Sequence, residues 1–164
     1  MAKKKSLAEL LADIRVARLR LKQRENLLEK RIKEYEVLSM RNFGRYTILS
    51  QQILKETEQL EELKSKLEVM DILLEMLELK VETAIQVGLI MNSLRDTMIA
   101  VKEFKRLNPV LPPELNLLID EIADVAIEVK GETIETKKQN INITPEAESI
   151  IEQAQKLAKE RLAS

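Results

Sequence analysis

The side chains that could do chemistry in this sequence reduce to carboxylates and cations, because it contains no His and no Cys. The usual general base, the usual zinc ligands, the thiol nucleophile and the disulfide are all missing. With three Gly in the chain there is no glycine-rich phosphate loop, neither G-x-x-x-x-G-K-[ST] nor G-x-G-x-x-G. Catalysis by carboxylates alone needs a pair of them in a concave pocket, and nothing in the pattern suggests a pocket. The expectation is a chain that is not an enzyme and that takes no metal and no cofactor.

What charged groups can do instead is associate. Residues 1–45 hold thirteen Lys and Arg against six Asp and Glu, a balance of +7, and the remainder carries −8. Such a split suits an anionic partner for the first segment, or attraction between unlike ends of neighbouring subunits. Lys3, Lys4 and Lys5 precede a first helix on which Arg15, Arg18 and Lys22 share one face. These six are the candidate membrane-binding residues, with Arg20 and Arg24 beside them. Each basic group near an anionic lipid surface is worth roughly 1 kcal/mol. The competing readings are a solvated face, or pairing with Glu56, Glu58, Glu61 and Glu62 on the following helix. Nucleic acid is a poor fit: Asp13, Glu25 and Glu29 interrupt the basic residues, and stacking aromatics are scarce.

The elements that must position these charges are helices. Aromatics are only 2% of the chain and charged residues 34%, so burial must come from aliphatic stripes. Ser6-Leu7-Ala8-Glu9 reads as a capping box. From it Leu7, Ile14, Leu21, Leu28 and Tyr35 recur every seven residues to about Asn42. Asn42-Phe43-Gly44-Arg45 is the turn of an antiparallel hairpin. From about Thr47 to Leu107 no Pro intervenes, and the spacing predicts one helix roughly 90 Å long. Its rows are Ile53, Leu60, Leu67, Leu74, Val81 and Leu63, Met70, Leu77, Ala84, Met91, Met98. Such a rod outruns the first helix by about two dozen residues, so part of its apolar stripe must meet the shorter helices or another copy of the chain. Leu63, Met70, Leu77, Met91 and Met98 are therefore hairpin core or polymer interface. Gly88, costing about 1 kcal/mol inside a helix, marks close packing or a hinge.

Asn108–Pro113 breaks the rod, and a further helix is expected over about 113–130 with Gly131 as its cap. Residues 131–143 read as a polar linker. Thr144-Pro145 opens a last helix, over 144–164, that could act as an inhibitory lid or as a lock on an adjacent subunit. No stretch of about 18 apolar residues is present, and the start lacks the apolar core of a signal peptide, so a cytoplasmic location is expected.

This order resembles the ESCRT-III family, above all its archaeal CdvB-type cell-division members. The resemblance rests on the basic first helix after Met-Ala-Lys-Lys-Lys, the turn at 42–45 and the Leu/Glu/Met-rich second helix. Lys80–Gly88, Met91–Met98 and Leu107–Leu115 carry most of it. It implies an all-α fold: residues 1–130 form a long antiparallel hairpin core with smaller C-terminal helices. It also implies a closed form and an open form, in which the second and third helices merge, and lateral stacking into filaments with copies and paralogues. Those filaments would constrict anionic membranes at the division site or in vesicle release, and a AAA-type ATPase would disassemble them. Nothing after Thr144 resembles the Pro- and Leu-rich docking motif for that ATPase, which suggests a trimmed chain or a short paralogue recruited by its siblings. The alternative from another class is a coiled-coil adaptor that forms a finite dimer and does not touch lipid.

Overall fold

The computed structural model describes residues 4–42, 45–88, 92–109, 111–123, 126–129, 132–135 and 143–163. Two long helices form a hairpin, α1 (Leu7–Arg41, 35 residues) and α2 (Thr47–Val87, 41 residues). Three shorter ones follow: α3 (Asn92–Leu107), α4 (Pro113–Ala123) and α5 (Pro145–Ala163). The all-α class and the hairpin expected from the heptads are what the structure shows. α1 begins where its cap dictates, with Ser6 Oγ accepting from the amide of Glu9 at 3.2 Å. α5 begins at Thr144, whose Oγ1 accepts from the amide of Ala147 at 3.1 Å.

The single 47–107 rod is not formed. The chain leaves α2 at Gly88, which adopts a left-handed conformation (φ 75°, ψ 18°) and donates its N–H to the carbonyl of Ala84 at 2.8 Å. Only a residue without Cβ takes that conformation cheaply, so the sequence's one mid-segment glycine ends the helix. α3 then doubles back along α2. Lys80 Nζ reaches Thr97 Oγ1 at 2.8 Å, whereas a straight helix would hold those residues about 25 Å apart. The length mismatch between the two long helices thus shrinks to six residues, and the surplus apolar stripe is covered within the chain.

The helix expected to reach 130 stops at Ala123. Residues Ala126–Val129 form a strand, β2, where the sequence suggested the last turns of that helix, and Glu132–Glu135 form β3, inside the expected linker over 131–143. A two-residue strand β1 (Lys4–Lys5) pairs parallel to β2, and β3 pairs antiparallel to it. Ile127 and Val129 flank Glu128 at period two, the strand signature, in a stretch too short to decide between helix and strand. The expected Gly131 cap lies outside the described residues, as do Phe43 and Gly44 of the turn.

The core sits at the open end of the hairpin. Leu10, Ile14, Ala17 and Leu21 of α1 meet Leu67–Leu77 and Val81 of α2. Met98, Ala100 and Val101 of α3, Ile119 and Ile122 of α4, and Ala147, Ile151, Ala154 and Ala158 of α5 complete it. Residues 67–74 are buried without interruption, because α2 is enclosed on all sides there by α1, α3 and α5. Toward the turn, only Glu25, Ile32 and Ile53 of the two long helices are buried. The hairpin is a packed bundle at one end and a bare pair of helices at the other.

Candidate functional site

Antiparallel folding about the turn at 42–45 lays the basic first half of α1 along the acidic second half of α2. Arg15 Nη2 meets Glu82 at 2.6 Å. Arg18 contacts Asp71 at 3.0 Å, Glu78 at 3.4 Å and Glu75 at 3.5 Å. Lys22 Nζ lies 3.1 Å from Glu25, 3.1 Å from Glu68 and 3.3 Å from Asp71. Arg161, near the end of α5, reaches Glu68 and Glu75 at 3.4 Å. Eight charged side chains from three helices therefore meet in one node, and its carboxylates at 25, 68 and 71 are buried.

The electrostatics follow from that crowding. Burial works to lower the Lys22 pKa, but its hydrogen bonds to Glu68 and Glu25 and the charge of Asp71 outweigh it and hold the ammonium well above its ordinary range. Arg18 and Arg161 are raised in the same way, burial opposing and the carboxylates prevailing. Glu25 is pushed up to about 8, by burial first and then by the hydrogen bond and charge of Glu68. Burial also acts to raise Glu68. There, however, the hydrogen bonds from Glu25, Lys22 and Arg161 prevail and keep it below the usual carboxylate range. Of the two carboxyls, Glu25 is therefore the one that holds a proton more readily and Glu68 the one kept ionised. Glu25 Oε1 is buried and has no hydrogen-bond partner, which disfavours its ionised form further. Asp71 is fully buried; its Oδ2 lies within ion-pair distance of Lys22 but has no hydrogen bond.

A second polar junction joins α2 to α3. Lys80 hydrogen-bonds Thr97 Oγ1 and approaches the carbonyl of Ser93 at 3.5 Å, and burial lowers its pKa more than the charge of Asp96 raises it. Lys105 pairs with Asp120 and Arg20 with Glu114, tying α4 to α3 and α1. Among the described residues no group of acids could hold a metal ion.

Of the six basic residues singled out in the sequence, Arg15, Arg18 and Lys22 are engaged with α2, and Lys5 is buried and paired with Asp13. Lys4 has its backbone in β1, and Lys3 lies outside the described residues. The paired acids are Glu68, Asp71, Glu75, Glu78 and Glu82, not Glu56–Glu62, which sit further toward the turn. Met70, Leu77 and Met98 are fully buried in the core, Leu63 is packed partly against it, and Met91 lies outside the described residues. Gly88 stands at the α2–α3 junction.

The sequence reading missed Glu25, Glu68, Asp71 and Arg161. A signal for Glu25 and Glu68 existed. Leu11, Arg18, Glu25 and Ile32 form a seven-residue row in which two charges replace apolar residues. Glu61, Glu68, Glu75 and Glu82 repeat at the same spacing on α2. Charges in a heptad row, reflected about the turn, face each other. Nothing comparable announces Arg161, whose partners come from a helix more than 80 residues earlier.

Along 163 residues the chain is 34% identical to Cell division protein B3 of Sulfolobus acidocaldarius, covering 98% of this chain and 95% of that protein. No family model matches the chain. No solved structure matches it.

Proposed function

The chain belongs to the CdvB family of ESCRT-III-like cell-division proteins, and we propose that it works by reversible assembly, as a subunit that polymerises with copies of itself and with paralogues on the inner face of the cell membrane at the division site. On this reading the structure is the closed, storage form. The observation that carries the proposal is the node at the middle of the hairpin. One cation of α5, Arg161, bridges two acids of α2 at 3.4 Å. Releasing it would free the α2 face, with Met70, Leu77 and their neighbours, that α5 and α3 now cover. A neighbouring hairpin offering the same alternation of basic and acidic residues could then replace the intramolecular partners. Many weak contacts of that kind would add along a filament and work against membrane bending. The chain itself performs no chemistry in this scheme.

Replacing Arg161 with Glu sets a like charge against Glu68 and Glu75. We expect Arg161→Glu, and removal of residues 144–164, to increase the pelletable fraction several-fold at low salt, with filaments visible in negative stain and enriched on anionic vesicles. Arg161→Lys should remain close to wild type. Strictly monomeric behaviour of both opened variants at high concentration, or a finite dimer indifferent to lipid, would replace the proposal with the coiled-coil adaptor.

A further inference from the structure

We propose that the hairpin tip, rather than the first half of α1, is the surface that enters a lipid membrane; the inference rests on the membrane reading above and assigns its contact site. Arg15, Arg18 and Lys22 of α1 are already committed to α2, Arg20 to Glu114 of α4, and Lys5 ahead of the helix to Asp13. The tip is built differently. From Val37 to Lys55 the chain contains Arg41, Arg45 and Lys55 and no Asp or Glu at all. In the same span Val37, Leu38, Met40, Tyr46, Ile48, Leu49 and Leu54 are exposed, Met40 and Ile48 at 79% and 74% of their full area. These are seven of the seventeen large exposed apolar side chains of the described residues, gathered at one end.

Their arrangement selects the partner. Around the α1 axis Val37 and Met40 lie about 60° apart, and Leu38 stands about 100° from the first and about 160° from the second. No single flat protein face covers them together. A fluid that closes around a protruding end does, and the acyl–headgroup boundary of a bilayer is such a fluid. Apolar side chains, a Tyr and a cationic collar without acids form the composition of an interfacial membrane segment. α2 starts here as well, with Tyr46 giving no side-chain cap and no acid in the first turn, so its N-terminal amides remain available to lipid phosphates. The tip also lies outside the closed core, so it is presented whether α5 is docked or released.

The test uses the whole chain and sonicated vesicles of phosphatidylglycerol and phosphatidylcholine against phosphatidylcholine alone. The sequence has no Trp, so Tyr46→Trp places a single fluorophore at the tip. We expect its emission to shift to the blue on anionic vesicles and to be quenched by lipids brominated on the acyl chain. Met40→Glu with Ile48→Glu, both far from the core, should leave the thermal melt unchanged and weaken vesicle binding by at least about tenfold, from two lost apolar insertions and two added negative charges. Wild-type protein that binds anionic vesicles as tightly as this double variant overturns the tip assignment while leaving the membrane reading intact. Wild-type protein that ignores anionic vesicles overturns both. Loss of filaments with vesicle binding retained also overturns the assignment and makes the tip a contact between copies.

Discussion

Glu25 occupies a heptad position that an apolar residue would ordinarily fill, and its protonation state is set by the company it keeps. Its carboxyl titrates near 8 in the folded chain against an ordinary 4.5. Between those values the folded state holds a proton that the unfolded chain releases. The group therefore favours folding most below its unfolded pKa, progressively less as pH rises toward 8, and adds no further slope above that. Glu25→Gln keeps a donor for Glu68 and removes the titration. We expect the variant to melt higher than wild type at about pH 9, with the advantage shrinking as pH falls and gone by about pH 5. Melts by circular dichroism across that range decide the matter, and parallel curves for the two proteins would show that Glu25 is ionised throughout. At this scale the sequence was only half legible. The interrupted heptad row displays Arg18 and Glu25 plainly, but which acids face them depends on the register about the turn. Counting outward from 42–45 carries Arg18 to about residue 69, between Glu68 and Asp71, and not to Glu56–Glu62.

Among the elements, the α2–α3 junction is where sequence periodicity and structure part. The heptads run through 88 because α3 uses the same rows, Met98 among them, to cover α2 after doubling back. A repeat fixes which face is apolar; it does not say whether that face is presented along one axis or two. The glycine decides, and its φ of 75° explains how. Ala at this position costs about 1 kcal/mol in the left-handed region and gains about as much in a helix. Gly88→Ala should therefore shift the balance from the folded-back pair toward one straight helix. The chain has no Cys, so spin labels at Leu79→Cys and Arg95→Cys report the change, and the variant should gain population at the separation of a continuous helix, about 24 Å between Cα atoms. An unaltered distance distribution would show that packing, not the glycine, sets the break. The strands β2 and β3 escaped the sequence reading for a different reason. Four-residue segments carry too few periods to separate a strand from a helix end, and the partner that makes β2 a strand includes residues 4–5 at the far end of the chain.

For the whole molecule, the division of the hairpin into a packed and a bare half predicts uneven stability. α2 is enclosed on all sides over 67–74 and nearly uncovered over 47–60, where Ile53 alone is buried. Native-state hydrogen exchange should therefore find amides over 69–84 protected at close to the global unfolding free energy. Those over 50–60 should open locally at far lower cost. Uniform protection along α2 would imply that the tip is covered in solution by another copy of the chain.

The smallest element has the widest reach. β1 occupies two residues at the very start of the chain, held edge to edge with a segment that follows α4. Residues before α1 therefore help to keep the later helices in place. A ligand or surface that captures the first five residues must peel Lys4 and Lys5 away from Ala126 and Ile127. By reciprocity, whatever loosens the distal part of the fold releases the amino-terminal lysines for capture elsewhere. Occupancy of one end of the polypeptide is thereby communicated to the other through two rungs of backbone pairing.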